Sequence, residues 1–177
     1  MRLRETLFAD LSRQYYFAGI SGKKPTISGL FLNFFSPRFM PVMLFRLSHF
    51  FYKVKLGPFA KMFSLMNFVL FGLEIAARCK IGKGLYFPHT QGTVIGALSI
   101  GENATIYHNV TFGAREVDLA YSETGRPVVG DNVIVGAGAK VLGGVNIGDG
   151  ARVGANAVVI ENVPAKATVV GIPARII

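Results

Sequence analysis

Apolar residues recur at every sixth position through the second half of the chain. The main series is Val129, Val135, Val141, Ile147, Val153 and Val159, and two earlier series are Ile75, Ile81, Phe87 and Val94, Ile100, Ile106, Phe112. A period of six matches neither the 3.6-residue period of a helix nor the two-residue alternation of a strand. It matches a coil with three flat faces, where each face is a short strand and the apolar residue points inward. The pattern therefore predicts a mainly β fold, a parallel β-helix.

Two interruptions of this period are informative. One extra residue separates Phe87 from Val94, and it falls beside His89. The stretch 114–127, AREVDLAYSETGRP, abandons the period and carries five of the fourteen charges found after residue 80. Excursions from a regular scaffold often carry function, although a tolerated surface insertion would look the same. We expect 114–127 to be a functional excursion loop.

The first part of the chain has a helical pattern. A helix is predicted from Pro41 to Tyr52, because proline suits the first helical turn and the segment places polar and basic side chains on one face. A second helix is predicted from Pro58 to Leu73. These segments indicate a short helical region ahead of the β-helix.

Charge divides the chain near the same place. Residues 1–80 contain twelve Lys and Arg against three acids, whereas residues 81–177 contain seven of each sign. Thirteen of the fifteen phenylalanines also precede residue 81. We therefore divide the chain into a basic, Phe-rich helical region, 1–73, and a β-helix domain, 74–177.

The basic front region has two interpretations. A cationic face beside many phenylalanines suits a helix lying in a membrane interface, but the same faces could pack on neighbouring subunits. The uncharged run in the second predicted helix, 62–73, has twelve residues, too few to span a bilayer, and no nucleic-acid motif is present. The single Cys79 excludes an internal disulfide, and no signal peptide is recognised. We expect a cytoplasmic protein with peripheral contact at the inner face of the membrane.

Several stretches resemble the hexapeptide-repeat acyltransferases, and among these the serine acetyltransferases most closely. They are IGKGLYFPHTQGTVIG, VTFG, GRPVVGDNVIVGAGAKVLGGVNIGDGARVGANAVVIENVP and VVGIPARI. The resemblance covers roughly residues 73–177. The resemblance implies a left-handed coil, a homotrimer or a pair of trimers, and acetyl-CoA as the acyl donor without a metal.

His89 is the candidate catalytic base. Acetyl transfer to an alcohol requires removal of the hydroxyl proton, and histidine has a suitable pKa for this step. Serine acetyltransferases pair their histidine with an acid fifteen residues earlier, which in this chain is Glu74. His108 is expected to face outward or toward a neighbouring subunit, and His49 is expected to be structural.

The resemblance also implies positions for the two substrates. Small residues at Gly113, Ala114, Ala137 and Ala155 would let CoA approach the backbone, and Arg152 and Arg175 would meet its phosphates. Pro88, Gly92 and Arg126 match acceptor-site positions. Serine acetyltransferases typically carry an aspartate where Pro88 stands and an Arg-His pair where Gly125 and Arg126 stand.

These departures remove charges that would address a serine zwitterion. The front segment MLFRLSHFFYKV also resembles acetyltransferases of exopolysaccharide pathways. We therefore predict an O-acetyltransferase acting on a saccharide hydroxyl in polysaccharide biosynthesis. The alternatives are L-serine as acceptor, for cysteine synthesis, and a non-catalytic hexapeptide scaffold.

Overall fold

The computed structural model describes residues 3–20, 22–118 and 120–177. Met1, Arg2, Ser21 and Leu119, which belong to the predicted front region and excursion loop, lie outside the described residues.

Short strands wind into a prism with three faces. The strands are β1 Leu73–Ile75, β2 Lys80–Ile81, β3 Thr93–Ile95, β4 Ser99–Ile100, β5 Thr105–Ile106, β6 Thr111–Gly113, β7 Val128–Val129, β8 Ile134–Val135, β9 Lys140–Leu142, β10 Asn146–Ile147, β11 Arg152–Val153, β12 Val158–Val159, β13 Thr168–Val170 and β14 Arg175–Ile176. The first face has the strand order β1-β3-β6-β9-β12, and the second has β2-β4-β7-β10. The third has β5-β8-β11-β13, and β14 adds to it antiparallel.

The interior of the prism is filled by the apolar residues of the hexads. Ile81, Phe87, Ile106 and Val141 are buried, each on a different strand or corner. The prediction for Val94 is wrong: its side chain is 37% exposed, and Ile95 points into the core instead. The corner at 88–92 is therefore longer than a single extra residue would make it, which shifts the inward position by one.

Four helices precede the coil in the described residues: α1 Leu3–Phe17, α2 Ile27–Leu32, α3 Met40–Lys53 and α4 Gly57–Phe71. The last two correspond to the predicted helices. Gly72 caps the C-terminus of α4, and its φ of 58° is a left-handed conformation that glycine adopts without strain. The chain then enters β1 directly.

The helices pack on the N-terminal end of the β-helix. Val42 and Phe45 of α3 belong to the same buried cluster as Leu73 and Ile75 of the first strand. Helices α1 and α3 share a second cluster that includes Leu11. Among the described residues, none of the helices is both long and apolar enough to cross a bilayer.

Candidate active site

His89 lies at the corner that joins the third face to the first. It follows the buried Phe87 and precedes β3, and its side chain is exposed. It borders a cavity of about 400 Å³ whose other walls come from the turn after α2 and the end of α4. Thr90 holds this corner onto the helical region, since its hydroxyl donates to the carbonyl of Phe71 at 2.9 Å. The imidazole is therefore accessible on a fixed corner.

The same corner recurs in the next three coils toward the C-terminus. The amide of Asn109 donates to the Gln91 carbonyl at 2.9 Å, and that of Gly138 donates to the His108 carbonyl at 2.9 Å. The amide of Asn156 donates to the Ala137 carbonyl at 2.8 Å. Because these bonds run from coil to coil, equivalent corner positions lie above one another. The resulting corner column is Gln91, His108, Ala137 and Ala155.

Small side chains in the column leave room along the corner. Two of the predicted CoA positions, Ala137 and Ala155, occupy it above His108. At a spacing of about 4.8 Å per coil, the column rises roughly 14 Å from the level of the first histidine corner. An extended ligand arm could lie along it and end at the imidazoles.

His89 and His108 are in contact. Their ring centroids are 5.6 Å apart and the rings are nearly perpendicular, at 85°. His108 Nδ1 is buried without a hydrogen-bond partner among the described residues. Sequence reasoning placed His108 outside the site, and the only available signal was that it follows the inward Ile106 by two residues, at a corner.

Glu74 and His89 line different cavities in the structure. Glu74 is exposed on β1 and lines a different cavity, of about 680 Å³, between the first coil and α4. No hydrogen bond joins its carboxylate to His89 within the described part of the chain. Their pairing stays a prediction.

The predicted donor residues fall into two groups. Arg152 lies on β11, on the third face, and Arg175 lies two strands away on β14 of the same sheet. This face leads into the corner column. Gly113 and Ala114, by contrast, lie at the far edge of the first face, where the excursion loop begins. A single chain therefore does not gather all of these positions around one ligand.

Arg126 holds the excursion loop in place. Its guanidinium donates to the carbonyl of Gly96 at 2.9 Å, and to the carbonyl and carboxylate of Asp118 at 2.8 and 3.1 Å. The guanidinium carbon also lies 3.6 Å from the ring centroid of Tyr121. Burial raises the pKa of Tyr121 to about 12, so its hydroxyl stays protonated and donates to the carbonyl of Ala97.

Because Arg126 is buried and pointed at its own loop, it does not reach His89 in the same chain. The other predicted acceptor positions lie at the histidine corner. Pro88 borders the His89 cavity. Gly92 has a φ of 70°, and an added Cβ would meet the Asn109 side chain, so its glycine is explained by the backbone.

His49 and Cys79 have structural roles. His49 Nδ1 bonds the carbonyl of Ala77 at 2.8 Å, and burial lowers the pKa of its imidazole. Cys79 is buried in the first coil, and burial raises the pKa of its thiol to about 12. No group of three or more potential metal ligands is present in the residues that the structure describes.

Comparisons with known proteins agree with this architecture. Residues 126–161 match the family described as bacterial transferase hexapeptide, with six repeats. A serine acetyltransferase of Helicobacter pylori J99 is 39% identical over 142 residues, which is 80% of this chain and 81% of that protein. One of Synechococcus elongatus is also 39% identical over 142 residues, but the chain spans only 57% of that protein's length.

Solved structures give the same result. A serine acetyltransferase in complex with CoA superimposes with a TM-score of 0.80 at 28% identity, over 99% of this chain and 69% of that one. The Neisseria gonorrhoeae serine acetyltransferase in complex with serine has a TM-score of 0.80 at 30% identity, over 98% and 68% of the two chains.

The prism and its open corner define a transferase of the hexapeptide-repeat class. The predicted fold, a left-handed parallel β-helix after a short helical region, is confirmed. Within that class, the chain belongs to the serine acetyltransferase family.

The prediction of a saccharide acceptor and a role in polysaccharide biosynthesis is wrong. The relatives and solved neighbours are serine acetyltransferases, at 39–42% identity for the relatives, and they favour the L-serine alternative. The prediction gave too much weight to Pro88 and Gly125. Losing the charged groups at these two positions changes how an acceptor is held. The similarity to serine acetyltransferases, however, extends over 80% of the chain and is not limited to these two positions.

Proposed function

We propose that this chain is an acetyl-CoA-dependent L-serine O-acetyltransferase with His89 as the general base. The observation that carries the proposal is the position of His89, exposed at the corner whose upper positions are Ala137 and Ala155. Family membership supports the substrates, since relatives have been solved with CoA and with serine.

Acetyl transfer to the serine hydroxyl requires one general base. His89 removes the hydroxyl proton of serine while the oxygen attacks the thioester carbonyl of acetyl-CoA. Collapse of the tetrahedral adduct breaks the C–S bond, and the proton held by His89 passes to the departing thiolate. The products are O-acetylserine and free CoA. The edge-to-face contact with His108 restricts how the His89 ring can turn.

The CoA arm is proposed to follow the corner column. Alanine at positions 137 and 155 leaves the backbone open to a ligand chain. Arg152 is exposed on the adjoining third face and is placed to meet a phosphate. The pantetheine end would then reach the two histidines at the bottom of the column.

The complete site is proposed to form between subunits of a homotrimer. The excursion loop and the His89 corner lie at opposite edges of the first face, so a loop can approach His89 only from another subunit. Helix α4 supports assembly, because Leu65, Phe68 and Val69 on it are exposed large apolar side chains. A neighbouring subunit would cover them.

The absence of an acid at position 88 predicts weak serine binding. The family's aspartate at this position addresses the ammonium of serine, and Pro88 cannot. We expect a high KM for serine and a normal turnover once serine is bound. Replacing Pro88 with aspartate should lower that KM by about tenfold, as a newly formed charge-assisted hydrogen bond at a partly exposed site would.

The test is release of CoA thiol from acetyl-CoA in the presence of L-serine. Wild-type protein should release thiol in a serine-dependent way, and His89→Ala should be slower by a factor of about 10² to 10⁴. Lys83→Ala, at an exposed lysine on another corner, is the matched control and should keep full activity. If no serine-dependent release occurs, or if His89→Ala equals wild type, the proposal is wrong.

A further inference from the structure

Helix α2 presents apolar side chains to solvent. Ile27, Phe31, Leu32 and Phe35 are 54, 75, 80 and 83% exposed, and these four residues are called the α2 patch. The opposite side of the same segment is anchored, because Leu30 and Phe34 pack on the second core cluster. The patch is therefore held outward by a fixed base.

The surroundings of the α2 patch are positively charged. Lys23 and Lys24 are exposed just before α2, and Arg38 is exposed just after the patch. The sequence from residue 11 to residue 73 contains eight Lys and Arg and no Asp or Glu. No acid of this segment can therefore compensate the cations beside the patch.

Exposed apolar side chains beside uncompensated cations favour one kind of binding partner for the α2 patch. Exposed aromatic and aliphatic side chains of this size mark an interaction site. A second copy meeting the patch symmetrically would bring Lys23, Lys24 and Arg38 toward their own counterparts, which is unfavourable. An anionic bilayer surface offers acyl chains for the apolar groups and phosphates for the cations.

We propose that the α2 patch inserts into the headgroup layer of an anionic membrane, with Lys23, Lys24 and Arg38 at the phosphates. Pro37 and Arg38 also border the His89 cavity, so the membrane surface would lie beside the entrance to that corner. The proposal does not depend on which acceptor the enzyme uses.

Vesicle flotation with the 177-residue chain tests the proposal. Wild-type protein should float with vesicles of phosphatidylglycerol and phosphatidylcholine in equal parts, and not with phosphatidylcholine alone. The fraction bound should fall as salt is raised, because the charges are exposed. Phe31→Ser with Phe35→Ser should weaken binding roughly a hundredfold, since two aromatic side chains no longer leave water. Lys23→Gln with Lys24→Gln should weaken it about fivefold per lysine.

Matched substitutions on the β-helix test whether vesicle binding depends on the α2 patch or on any exposed apolar or basic side chain. Val117→Ser with Ile172→Ser removes two other highly exposed apolar side chains, and Lys83→Gln with Lys166→Gln removes two exposed lysines. Both control variants should bind like wild type.

Light scattering of the Phe31→Ser, Phe35→Ser variant distinguishes the rival occupant. We expect its mass in solution to equal that of wild type. A smaller mass would show that the patch joins copies of the chain, and equal vesicle binding by patch and control variants would show that the patch is not the contact. Either result overturns the proposal.

Discussion

Replacing Asp10 with alanine should detach the helical region from the coil. Asp10 and Arg46 form a buried ion pair, with side chains 0% and 4% exposed and Arg46 Nε 2.9 Å from the carboxylate. The Asp10 carboxylate also accepts from the backbone amides of Gly84 and Leu85, at 2.8 and 3.0 Å. One side chain of α1 is thus bonded both to α3 and to the first coil.

The expected loss follows from what the substitution leaves behind. Without Asp10, the Arg46 guanidinium keeps its bonds to the carbonyls of Ile81 and Gly82 but loses its counter-charge. Breaking a buried pair by removing one partner costs about 3–5 kcal/mol. Two buried amides without acceptors add about 1–3 kcal/mol each. A total of at least about 5 kcal/mol is comparable to the whole stability of many domains.

Urea unfolding at a fixed protein concentration measures this loss, because assembly would otherwise shift the midpoint. Arg46→Met should also destabilise the fold, and the Asp10→Ala, Arg46→Met double variant should lose less stability than the sum of the two single variants. The control is Glu102→Ala at the exposed Lys83–Glu102 pair, with side chains 48% and 43% exposed, which should cost under about 1 kcal/mol. A loss below about 1 kcal/mol in Asp10→Ala, additive with Arg46→Met, would refute the reasoning.

Two further predictions concern His49 and Arg126. Burial lowers the pKa of His49 below the ordinary 6.5, so the unfolded chain takes up a proton first and stability should fall as pH drops below about 6.5. His49→Gln should reduce the change of unfolding free energy with pH, measured by urea titrations between about pH 7 and pH 5. If the pH dependence is unchanged in the variant, the prediction is wrong. Arg126→Met removes the bonds to Gly96 and Asp118, so amide exchange in 115–118 and 120–125 should accelerate at least about tenfold. Arg126→Lys cannot make the same forked contacts and should also accelerate amide exchange in the loop. Unaltered exchange in both variants would contradict the role of Arg126 in holding the loop.

The helical region was only partly predictable. Helices α3 and α4 have proline at their starts and long apolar runs, and they lie within two residues of the predicted bounds. Helices α1 and α2 were not predicted. Helix α2 has only six residues, and its stability depends on Leu30 and on contacts with α1 rather than on a local pattern.

The site was predicted unevenly for a comparable reason. His89 could be found because it interrupts a strict period. The contact with His108 could not, because it depends on how two corners stack across nineteen residues of sequence. The role of Arg126 also required the folded loop, since the same side chain could have faced a substrate or, as observed, Gly96.

The sequence alone determined the prism, because a six-residue apolar period leaves few other ways to bury one residue per face. It also determined the charge asymmetry and the open histidine corner. Tertiary structure decided which groups meet: that Ile95 rather than Val94 points inward, that Glu74 and His89 border different cavities, and that Asp10 joins the helices to the coil. The physical reason is that periodicity records which side chains leave water, whereas contacts between distant residues depend on the stacking of coils and helices, which no local pattern encodes.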